Sequence, residues 1–466
     1  MWSVSTKEKK ELSQEAAQID WKDFYRRVLA LVIPMALQNL INVGVTAADV
    51  FMLGKLGETA LSGASLAGQV QFIMTLVFFG LTSGATVLTA QYWGKGDRKT
   101  IEKILGMAMK FSLITAAIFT AAAFLIPETL MHIYTSEPDV IAEGVKYLRI
   151  VGWSYLFMAF TQVYLNIMRS IEKVVIATVV YSVSLGVNVC INAVLIFGLF
   201  GFPKMGIIGA AIGTLAARVA ELLIVVWYAS VKNKIIHIRL RYLLRSDKIL
   251  LKDFMVYALP VVLNEMMWGL GSSANTAVIG HLGSAAVAAN SVAQVARQLA
   301  TVVAFGICNA TAVYLGKTIG EKKYGLAKIY AKKFIRLSLI TGGLGAAVIL
   351  LSTPVINHTM SLTVQAQSYL SFMFFVMSYF TVAQALNTTL VVGIFRSGGD
   401  TRFGLALDVS TMWGCSILLG AAAAFLFNAP VQIVYMLLMS DEVIKVPLTL
   451  KRFFSYKWLK DVTRDF

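Results

Sequence analysis

Two apolar segments of this 466-residue chain carry acids and amides at helical spacing. In the first segment the polar residues follow one another at spacings of three, four and three: Asn39, Asn42, Thr46 and Asp49. An α-helix turns once in 3.6 residues, so these four side chains would share one face. A carboxylate within an apolar helix costs about 2.5–3.5 kcal/mol, which favours a function for Asp49, such as exchange of a bound proton or cation.

The second segment repeats this stripe in the later half of the chain, at the offset that places Asn39 on Glu265 and Asp49 on Asn275. In the same register it presents Trp268 and Ser272, with Met267 beside them. For the amides and hydroxyls, hydrogen bonding between helices explains the spacing equally well, at about 0.6–2 kcal/mol per contact. The two acids need another explanation, because a buried carboxylate is too costly for packing alone.

A third stripe consists of Asn188 and Asn192, which are four positions apart and therefore share a helix face. Neutral amide oxygens beside one carboxylate can bind Na⁺ or accept a hydrogen bond from a protonated carboxyl group. Packing against a neighbouring helix is the alternative for this pair. We predict a cation site at Asp49, Asn188 and Asn192 that takes H⁺ or Na⁺, and no other cofactor.

The composition places these stripes in a membrane, because 58% of residues are apolar, 14% are charged and the mean hydropathy is +0.72. Segments long enough to cross ~30 Å of hydrocarbon lie near 28–53, 67–92, 104–126, 147–168, 174–200, 206–230, 254–280, 285–315, 334–352, 366–392, 403–427 and 429–450. Their continuous apolar runs lack two-residue alternation, which excludes a membrane barrel. We therefore predict an all-α integral membrane protein with twelve transmembrane helices.

The sequence contains an internal repeat, with two similar halves. A single constant offset superposes identical residues, including Pro34 on Pro260, Gly54 on Gly280, Gly57 on Gly283, Gly80 on Gly306 and Gly94 on Gly320. Each half has six spans, so the repeats are parallel and would form two lobes around a central cavity. The expected organisation is an N-terminal tail (1–27), an N-lobe (28–230), a linker (231–253), a C-lobe (254–450) and a C-terminal tail (451–466).

Charge placement predicts the orientation in the membrane. Lys and Arg concentrate in both tails and in the loops after even-numbered spans, and the other loops contain only Lys55, Lys146 and Lys204. By the positive-inside rule, both termini and the linker would be cytoplasmic. The tail before Val28 lacks an apolar core, so no cleavable signal peptide is expected. We predict a multi-pass protein of the plasma (inner) membrane.

Several function classes are disfavoured. The net charge of +16 is spread over many loops, which follows from topology and gives no reason to expect nucleic-acid binding. No G-x-x-x-x-G-K-[ST] loop is present for ATP. The spans contain neither a nucleophile with its base nor a metal cluster, so no catalytic residue and no enzyme are expected. Cysteines and histidines are too dispersed for a disulfide framework or a metal site: Cys190, Cys308, Cys415, His132, His237, His281 and His358.

Other charges within the spans are expected to be structural. Arg218 and Glu221 are three positions apart, as are Glu442 and Lys445, so each pair could neutralise itself on one helix. Arg396 follows an even-numbered span, where a cation is expected to extend toward the membrane surface.

Three separate motifs resemble the multidrug and toxic compound extrusion (MATE) family: TAADVFMLGKLGETALSG from Thr46, GFPKMGIIGAAIGT from Gly201 and FRSGGDTRFG from Phe395. The similarity extends to KWLK after Tyr456. In this pattern Asp49 falls on the acid of the first helix. Asn188 and Asn192 fall on a fifth-helix amide pair found in one branch of the family, and another branch has an acid at the position of Asn192. Glu265 resembles the seventh-helix acid.

The resemblance implies an antiporter that exports cationic or amphipathic organic compounds, such as drugs and toxins, in exchange for H⁺ or Na⁺ by alternating access. Glu265 would then complement a cationic substrate or act as a second coupling acid, with Trp268 and Met267 in apolar contact. Asn39, Asn42, Ser272 and Asn275 complete the predicted substrate or second coupling site. The protein is expected to be a monomer whose partners are its substrate and the lipid bilayer.

Two alternatives stay open. A lipid-linked oligosaccharide flippase of the same superfamily would need a strongly cationic cavity for a pyrophosphate, and the candidate cations are Arg149, Arg218 and Arg297. A passive channel would need a continuous polar pore.

Overall fold

The computed structural model describes residues 19–359 and 363–465, except the side chains of 357–359. Most of the predicted N-terminal tail and the His358 side chain therefore lie outside the described residues. The described part of the chain is helical and contains no strand. It is an all-α integral membrane protein, as the continuous apolar runs predict.

Within the described residues, the first half contains nine α-helices: α1 (Trp21–Gly54), α2 (Glu58–Lys95), α3 (Arg98–Leu125), α4 (Pro127–His132), α5 (Pro138–Val151), α6 (Ser154–Ser170), α7 (Val175–Phe197), α8 (Ile207–Trp227) and α9 (Leu240–Leu244). The described second half contains eight: α10 (Lys248–Gly280), α11 (Ser284–Gly320), α12 (Tyr324–Thr359), α13 (Val364–Thr388), α14 (Thr401–Asp408), α15 (Leu418–Phe425), α16 (Val431–Leu438) and α17 (Asp441–Phe454). Segments of π-helix extend or join some of them, at Tyr228–Lys232, Thr389–Phe395 and Val409–Ile417.

Nine of the described helices are long and apolar enough to cross a membrane, with π-helical continuations included. The pair α5 and α6, bent by 53°, supplies a tenth span. The two remaining predicted spans are also helical: α10 is continuous, and the last span is divided into α16 and α17. The twelve predicted spans thus all lie on helices.

The two halves repeat their helix boundaries at the offset of the sequence repeat. Helix α2 begins at Glu58 and α11 at Ser284, while α3 begins at Arg98 and α12 at Tyr324. The turns repeat as well, because Gly57 and Gly283 both have positive φ, 119° and 107°. Glycine reaches this backbone region without the steric penalty of other residues, so the repeated glycines form the turns that directly precede α2 and α11.

Large apolar side chains on the helix surfaces are exposed. On α1, Leu29, Ile33 and Leu37 are 52%, 61% and 42% exposed, and α12 exposes Leu344 and Leu351 in the same way. A soluble domain would bury such a face, whereas hydrocarbon solvates it. The exposed apolar faces are therefore the surface that meets lipid.

The contacts divide the chain into two compact units. The N-terminal unit comprises Leu37–Thr89 and Asp97–Val262. One of its cores is built on α2, α3 and α6 and includes Phe78, Met74 and Tyr155. Glycines allow α2 to approach α10 closely, because a Cβ on Gly80 or Gly84 would collide with the α10 backbone.

The C-terminal unit comprises the described residues before Leu37, Ala90–Gly96 and the chain from Leu263 onward. Its core includes Phe374, Met377 and Tyr435. The start of α1 belongs to this unit because Phe24 stacks on Tyr330, with ring centroids 4.9 Å apart. The helices α1, α2 and α10 are therefore divided between the two packing units.

The FRSGGD motif makes several structural contacts in the C-terminal unit. Gly398 leaves room for the Trp458 carbonyl, and Gly399 has a φ of 78°. Asp400 accepts two hydrogen bonds from Arg452 on α17, at 2.7 and 2.9 Å. The motif thereby fixes the end of the chain, where Trp458 is fully buried.

The C-terminal segment also packs on the end of α2. Gln91 donates to the carbonyls of Ser397 and Lys460, at 2.7 and 3.0 Å, and accepts from the Val462 amide at 2.8 Å. A hydrogen bond from Lys95 holds the pKa of the exposed Asp465 carboxyl below its usual range.

Candidate functional site

The N-terminal unit contains a polar cavity of about 700 Å³. Its wall combines residues of α1, α2, α7 and α8 with Tyr147 of α5 and Gln162 of α6. Its polar and charged lining includes Asn42, Asp49, Gln69, Ser184, Asn188, Thr214, Arg218 and Glu221. The volume is within the range that holds a drug-sized organic molecule.

The predicted cation site lies at the wall of this cavity. Asn192 donates through Nδ2 to Asp49 Oδ1 at 2.7 Å and to Asn188 Oδ1 at 3.2 Å. Asn188 and Asn192 are 2% and 0% exposed, whereas Asp49 is only partly buried and faces the cavity. The structure thus brings the acid of α1 and the two amides of α7 together.

An ion pair lies in the same cavity. Arg218 Nη1 is 2.6 Å from Glu221 Oε1, and Ser184 donates to that carboxylate oxygen at 2.6 Å. The pair predicted from the i, i+3 spacing is therefore confirmed. The cavity wall has two carboxylates and one guanidinium. Because the guanidinium of Arg218 pairs with Glu221, the negative charge of Asp49 has no balancing positive charge on this wall.

Two further residues of the first stripe, Asn39 and Asn42, are separated by about one helical turn. Asn42 lines the cavity, while Asn39 is not among its lining residues. Asn39 Nδ2 is buried without a hydrogen-bond partner in the described part of the chain. Asn42 is thus the member of this pair with access to a bound molecule.

The C-terminal unit contains a smaller polar cavity of about 50 Å³. Three residues of the predicted second stripe line it: Trp268, Ser272 and Asn275. Its other polar and charged lining residues are Thr276, Asn290, Gln294, Arg297, Gln384, Asp441 and Glu442. Neither Glu265 nor Met267 is among the residues that line this cavity.

The Glu265 carboxylate pairs instead with an arginine. Arg396 Nη2 is 2.8 Å from Glu265 Oε1, and Arg396 is only 4% exposed. The expectation that Arg396 extends toward the membrane surface is therefore wrong, because this side chain turns inward to a buried acid. Met267 contributes its carbonyl, which accepts from the Trp413 indole at 3.1 Å.

Three carboxylates of the C-terminal unit share one lysine. Lys445 Nζ is 2.9 Å from Asp408, 3.1 Å from Asp441 and 3.1 Å from Glu442. The Lys445 side chain is 3% exposed. The predicted pair of Glu442 and Lys445 is thus one part of a larger cluster.

Amides complete this cluster. Asn264 donates to Asp408 Oδ2 at 2.9 Å, and Asn387 donates to Glu442 Oε2 at 2.8 Å. These hydrogen bonds offset part of the cost of burying the carboxylates.

The sequence predicts Arg218 and Glu221 as a structural pair, with Arg218 also a candidate cation for a flippase cavity. It does not identify Glu221 as a cavity residue or the participation of Asp408 and Asp441. Their charge was the available signal in the sequence, because an acidic or basic residue within an apolar segment usually has a functional role. Only the packing of separate helices shows which of these charges meet.

The arrangement can bind a monovalent cation or exchange a proton. Among the described residues, no group of three or more His, Cys, Asp or Glu side chains could hold a metal ion. The N-terminal site instead offers one carboxylate and amide oxygens. Asn192 Oδ1 is buried and unpartnered among the described residues, and it is the available oxygen for a cation if the amide turns.

Comparison with known proteins links this geometry to a family. The family model described as MatE matches residues 34–194 and 260–422, one segment in each repeat. The probable multidrug resistance protein YoeA of Bacillus subtilis (strain 168) is 22% identical over 399 residues, covering 84% of this chain and 85% of that protein. The probable multidrug resistance protein NorM of Rhizobium meliloti (strain 1021) is 24% identical over 342 residues, covering 73% and 72%.

Solved structures share the fold. A MOP superfamily transporter from Pyrococcus furiosus superposes with a TM-score of 0.81 at 19% identity, covering 92% of this chain and 96% of that one. A MATE crystal structure in a straight conformation gives a TM-score of 0.82 at 19% identity, with the same coverage. The chain thus shares the fold of these structures over 92% of its length.

Proposed function

Because the chain belongs to the MatE family of multidrug transporters, we propose that it is a secondary active antiporter that exports cationic or amphipathic organic compounds. Uptake of H⁺ or Na⁺ would drive the export by alternating access. Asp49, Asn188 and Asn192 would bind the coupling ion. The protein would reside in the plasma membrane with both termini in the cytoplasm.

The observation that carries this proposal is the position of Asp49. It is a partly buried carboxylate that lines a cavity of about 700 Å³ and is hydrogen-bonded to Asn192. A carboxylate at the border between protein and an open cavity can exchange a bound cation with water. A positively charged substrate can compete with that cation for the carboxylate. This competition would couple the two fluxes.

The contacts at Asp49 favour a proton over Na⁺. Asn192 presents its N–H to the carboxylate, and Asn188 Oδ1 already accepts a hydrogen bond from Asn192. A hard cation needs several oxygen ligands directed at one point. A proton needs only one carboxylate oxygen, so it fits the present arrangement without rotating an amide.

The surplus negative charge supports a cationic substrate. Arg218 is neutralised by Glu221 at 2.6 Å, so the charge of Asp49 dominates the cavity. Phe72, Tyr147 and Tyr181 add aromatic surface to the cavity wall, and aromatic faces attract organic cations. In the smaller cavity, Trp268, Ser272 and Asn275 would contact substrate or an ion.

A flippase for an anionic lipid is the weaker alternative. Of its three candidate cations, Arg218 is paired with Glu221, and Arg297 donates to Gln294 and Gln384. Arg149 is in the last turn of α5 and lines neither of the two cavities. A pyrophosphate would require several free cations in one place.

The test is ethidium transport in proteoliposomes under an imposed pH gradient, with the membrane potential held at zero. Each coupled proton multiplies the equilibrium accumulation ratio by about ten per pH unit. Asp49→Asn should lower this ratio at least tenfold, because the amide keeps the shape but carries no exchangeable proton. Ethidium should still bind to the variant through the aromatic wall of the cavity, but more weakly, because the carboxylate that attracts the cation is gone.

Glu128→Gln is the control, because Glu128 is an exposed acid outside the cavity. It should transport like the wild type. Undiminished uphill transport by folded Asp49→Asn would refute the coupling role of Asp49. A sodium gradient in a parallel experiment would identify Na⁺ coupling, and substrate movement that never exceeds equilibrium would indicate a channel.

A further inference from the structure

The C-terminal unit has a third cavity, a groove of about 410 Å³ between α14 and α17. The described residues that line this groove are all different from those of the two polar cavities. They combine apolar and basic side chains, including Phe403, Leu407, Leu448, Lys451, Arg452 and Lys457. The groove is thus a separate place at which a molecule with an apolar and a charged part could bind.

One face of each helix forms the groove. Phe403 and Leu407 are four positions apart on α14, and Leu448 and Arg452 are four apart on α17, so each pair shares a helix face. Arg452 fixes the two faces relative to each other. Its guanidinium lies over the Phe403 ring, 4.7 Å from the centroid, and donates two hydrogen bonds to Asp400. The wall is therefore held in place by contacts within the protein.

Two positive charges of the groove are not neutralised. Lys451 and Lys457 are exposed, and neither forms an ion pair with a residue that the structure describes. Asp400 is already bound by Arg452 and Lys460. Among the described residues that line the groove, none is acidic. The two free ammonium groups therefore favour an anion as the bound molecule.

The deeper part of the groove is apolar. Leu407 is 4% exposed and belongs to the floor, whereas Leu448 is 44% exposed and leaves its side chain available for contact. A small hydrophilic anion would leave these surfaces uncovered. An anion that carries a hydrocarbon chain would cover them and gain the free energy of apolar burial.

The position of the groove agrees with the depth of lipid headgroups. Helix α14 begins at Thr401 and α17 ends at Phe454, where the predicted spans 403–427 and 429–450 begin and end. Phosphates of a bilayer lie at this level and acyl chains lie below it. In the orientation proposed above this is the cytoplasmic surface, where basic pockets between transmembrane helices bind anionic headgroups.

We propose that this groove binds an anionic phospholipid of the phosphatidylglycerol type. Its phosphate would contact Lys451 and Lys457, and its acyl chains would lie along Phe403, Leu407 and Leu448. The volume is within the range of small-molecule sites, about 300–1,000 Å³, so it accommodates a headgroup with the first part of the chains. The site is separate from the cavity for the transported compound and does not depend on the proposed antiport.

The test is native mass spectrometry of the purified protein with phosphatidylglycerol or phosphatidylcholine of identical acyl chains. The wild type should bind the first phosphatidylglycerol about thirtyfold more tightly, because each lysine contributes about fivefold toward a net negative headgroup. The choline of phosphatidylcholine cancels that charge. Lys451→Gln combined with Lys457→Gln should abolish the preference. Equal affinity of the wild type for both lipids, or an undiminished preference in the double variant, would overturn the proposal.

Lys248→Gln combined with Lys332→Gln is the matched control. Both lysines are exposed and lie outside the groove, and their replacement changes the net charge by the same amount. This variant should keep the preference for phosphatidylglycerol. Loss of the preference here as well would show that overall charge attracts the lipid, which would contradict a specific site.

A second variant tests the groove without changing any charge. Ala406 lines the groove and is exposed, so Ala406→Trp should fill the space and weaken phosphatidylglycerol binding by about tenfold or more. Ala406→Ser should bind the lipid like the wild type. Thermal unfolding in detergent without lipid verifies that both variants are folded. Tight binding of phosphatidylglycerol by folded Ala406→Trp would contradict the site.

Two further measurements exclude other occupants. Soluble glycerol 3-phosphate in large excess should not displace phosphatidylglycerol, because it lacks the acyl chains that cover Leu407 and Leu448. Displacement would assign the groove to a free phosphate compound and overturn the lipid proposal. Detection of a protein dimer that is lost in Ala406→Trp would likewise overturn it, in favour of a second copy of the chain.

Lipid nanodiscs give an independent readout. Phosphatidylglycerol added to phosphatidylcholine nanodiscs should raise the unfolding temperature of the wild type and of the lysine control, because a ligand of the folded state stabilises it. The increase should be absent in the Lys451 and Lys457 double variant. An equal increase in all three proteins would contradict binding at this groove.

Discussion

As individual residues, the two acids of the matching stripes have different environments. Asp49 faces a cavity and is held by an amide, whereas Glu265 is held by the buried guanidinium of Arg396. Glu265 is also absent from the residues that line the smaller cavity of the C-terminal unit. The stripe of α10 contributes Trp268, Ser272 and Asn275 to that cavity, and we predict that Glu265 stabilises the unit through its ion pair with Arg396.

Replacing Glu265 with Gln should destabilise the protein more than it changes substrate preference. The variant removes the carboxylate that pairs with the buried guanidinium of Arg396 at 2.8 Å, and breaking a buried ion pair costs about 3–5 kcal/mol. Thermal unfolding in detergent measures this loss. The double variant Glu265→Gln with Arg396→Gln should recover part of the stability, because the buried guanidinium charge is removed together with the carboxylate that balances it. Wild-type stability of Glu265→Gln would instead support a role for Glu265 in binding substrate.

Among the helices, the cation site depends on how closely α7 and α8 pack. Gly213 of α8 faces Asn192 of α7, and a Cβ at this position would collide with the Asn192 side-chain oxygen. The absence of a side chain at Gly213 therefore lets α7 and α8 pack closely at the height of the Asn192 amide, which hydrogen-bonds to Asp49. The site is a property of this helix pair and not of α7 alone.

Gly213→Ala should impair coupled transport as strongly as Asn192→Ala does. The added methyl group forces Asn192 away from Asp49, at a cost of about 1–3 kcal/mol for overpacking. Ethidium accumulation under a pH gradient is the measurement. Gly186→Ala on α7 is the control, because a Cβ there meets nothing within 4 Å. Equal activity of both variants would show that the contact is not needed.

Helix packing also explains the FRSGGD motif. Its residues neutralise Glu265, admit the Trp458 carbonyl and anchor α17 through Arg452. None of these contacts lies at either of the two cavities described above. The motif thus holds α13, α14 and the C-terminal segment together.

For the molecule as a whole, the distribution of cations predicts which loops meet the cytoplasm. The 231–253 segment is basic, and the loop between α4 and α5 includes the exposed Glu137. The positive-inside rule places these two segments on opposite sides of the membrane.

A membrane-impermeant maleimide should label cysteine at position 137 in intact cells, and cysteine at position 234 only after permeabilisation. Both Glu137 and Lys234 are exposed, so access to the side chain is not limiting. The background would carry Ser at the three native positions, Cys190, Cys308 and Cys415. The opposite labelling pattern would invert the proposed orientation.

The helices and the repeat follow from the amino-acid sequence alone. Apolar runs of about 20 residues can only be helices in lipid. The constant offset between the halves reproduces the starts of α2 and α3 in α11 and α12. The i, i+3 spacing was sufficient for the pair of Arg218 and Glu221, because both residues lie on one helix.

The charges that meet across helices could be identified only after the helices were packed. The pairing of Glu265 with Arg396 joins residues 131 positions apart, and Lys445 gathers Asp408 together with its own neighbours on α17. Helical periodicity gives the face on which a side chain lies, but it carries no information on which helix packs against that face. In a bilayer this choice follows from close packing of small residues and from the need to pair buried charges, and both depend on the whole set of helices at once.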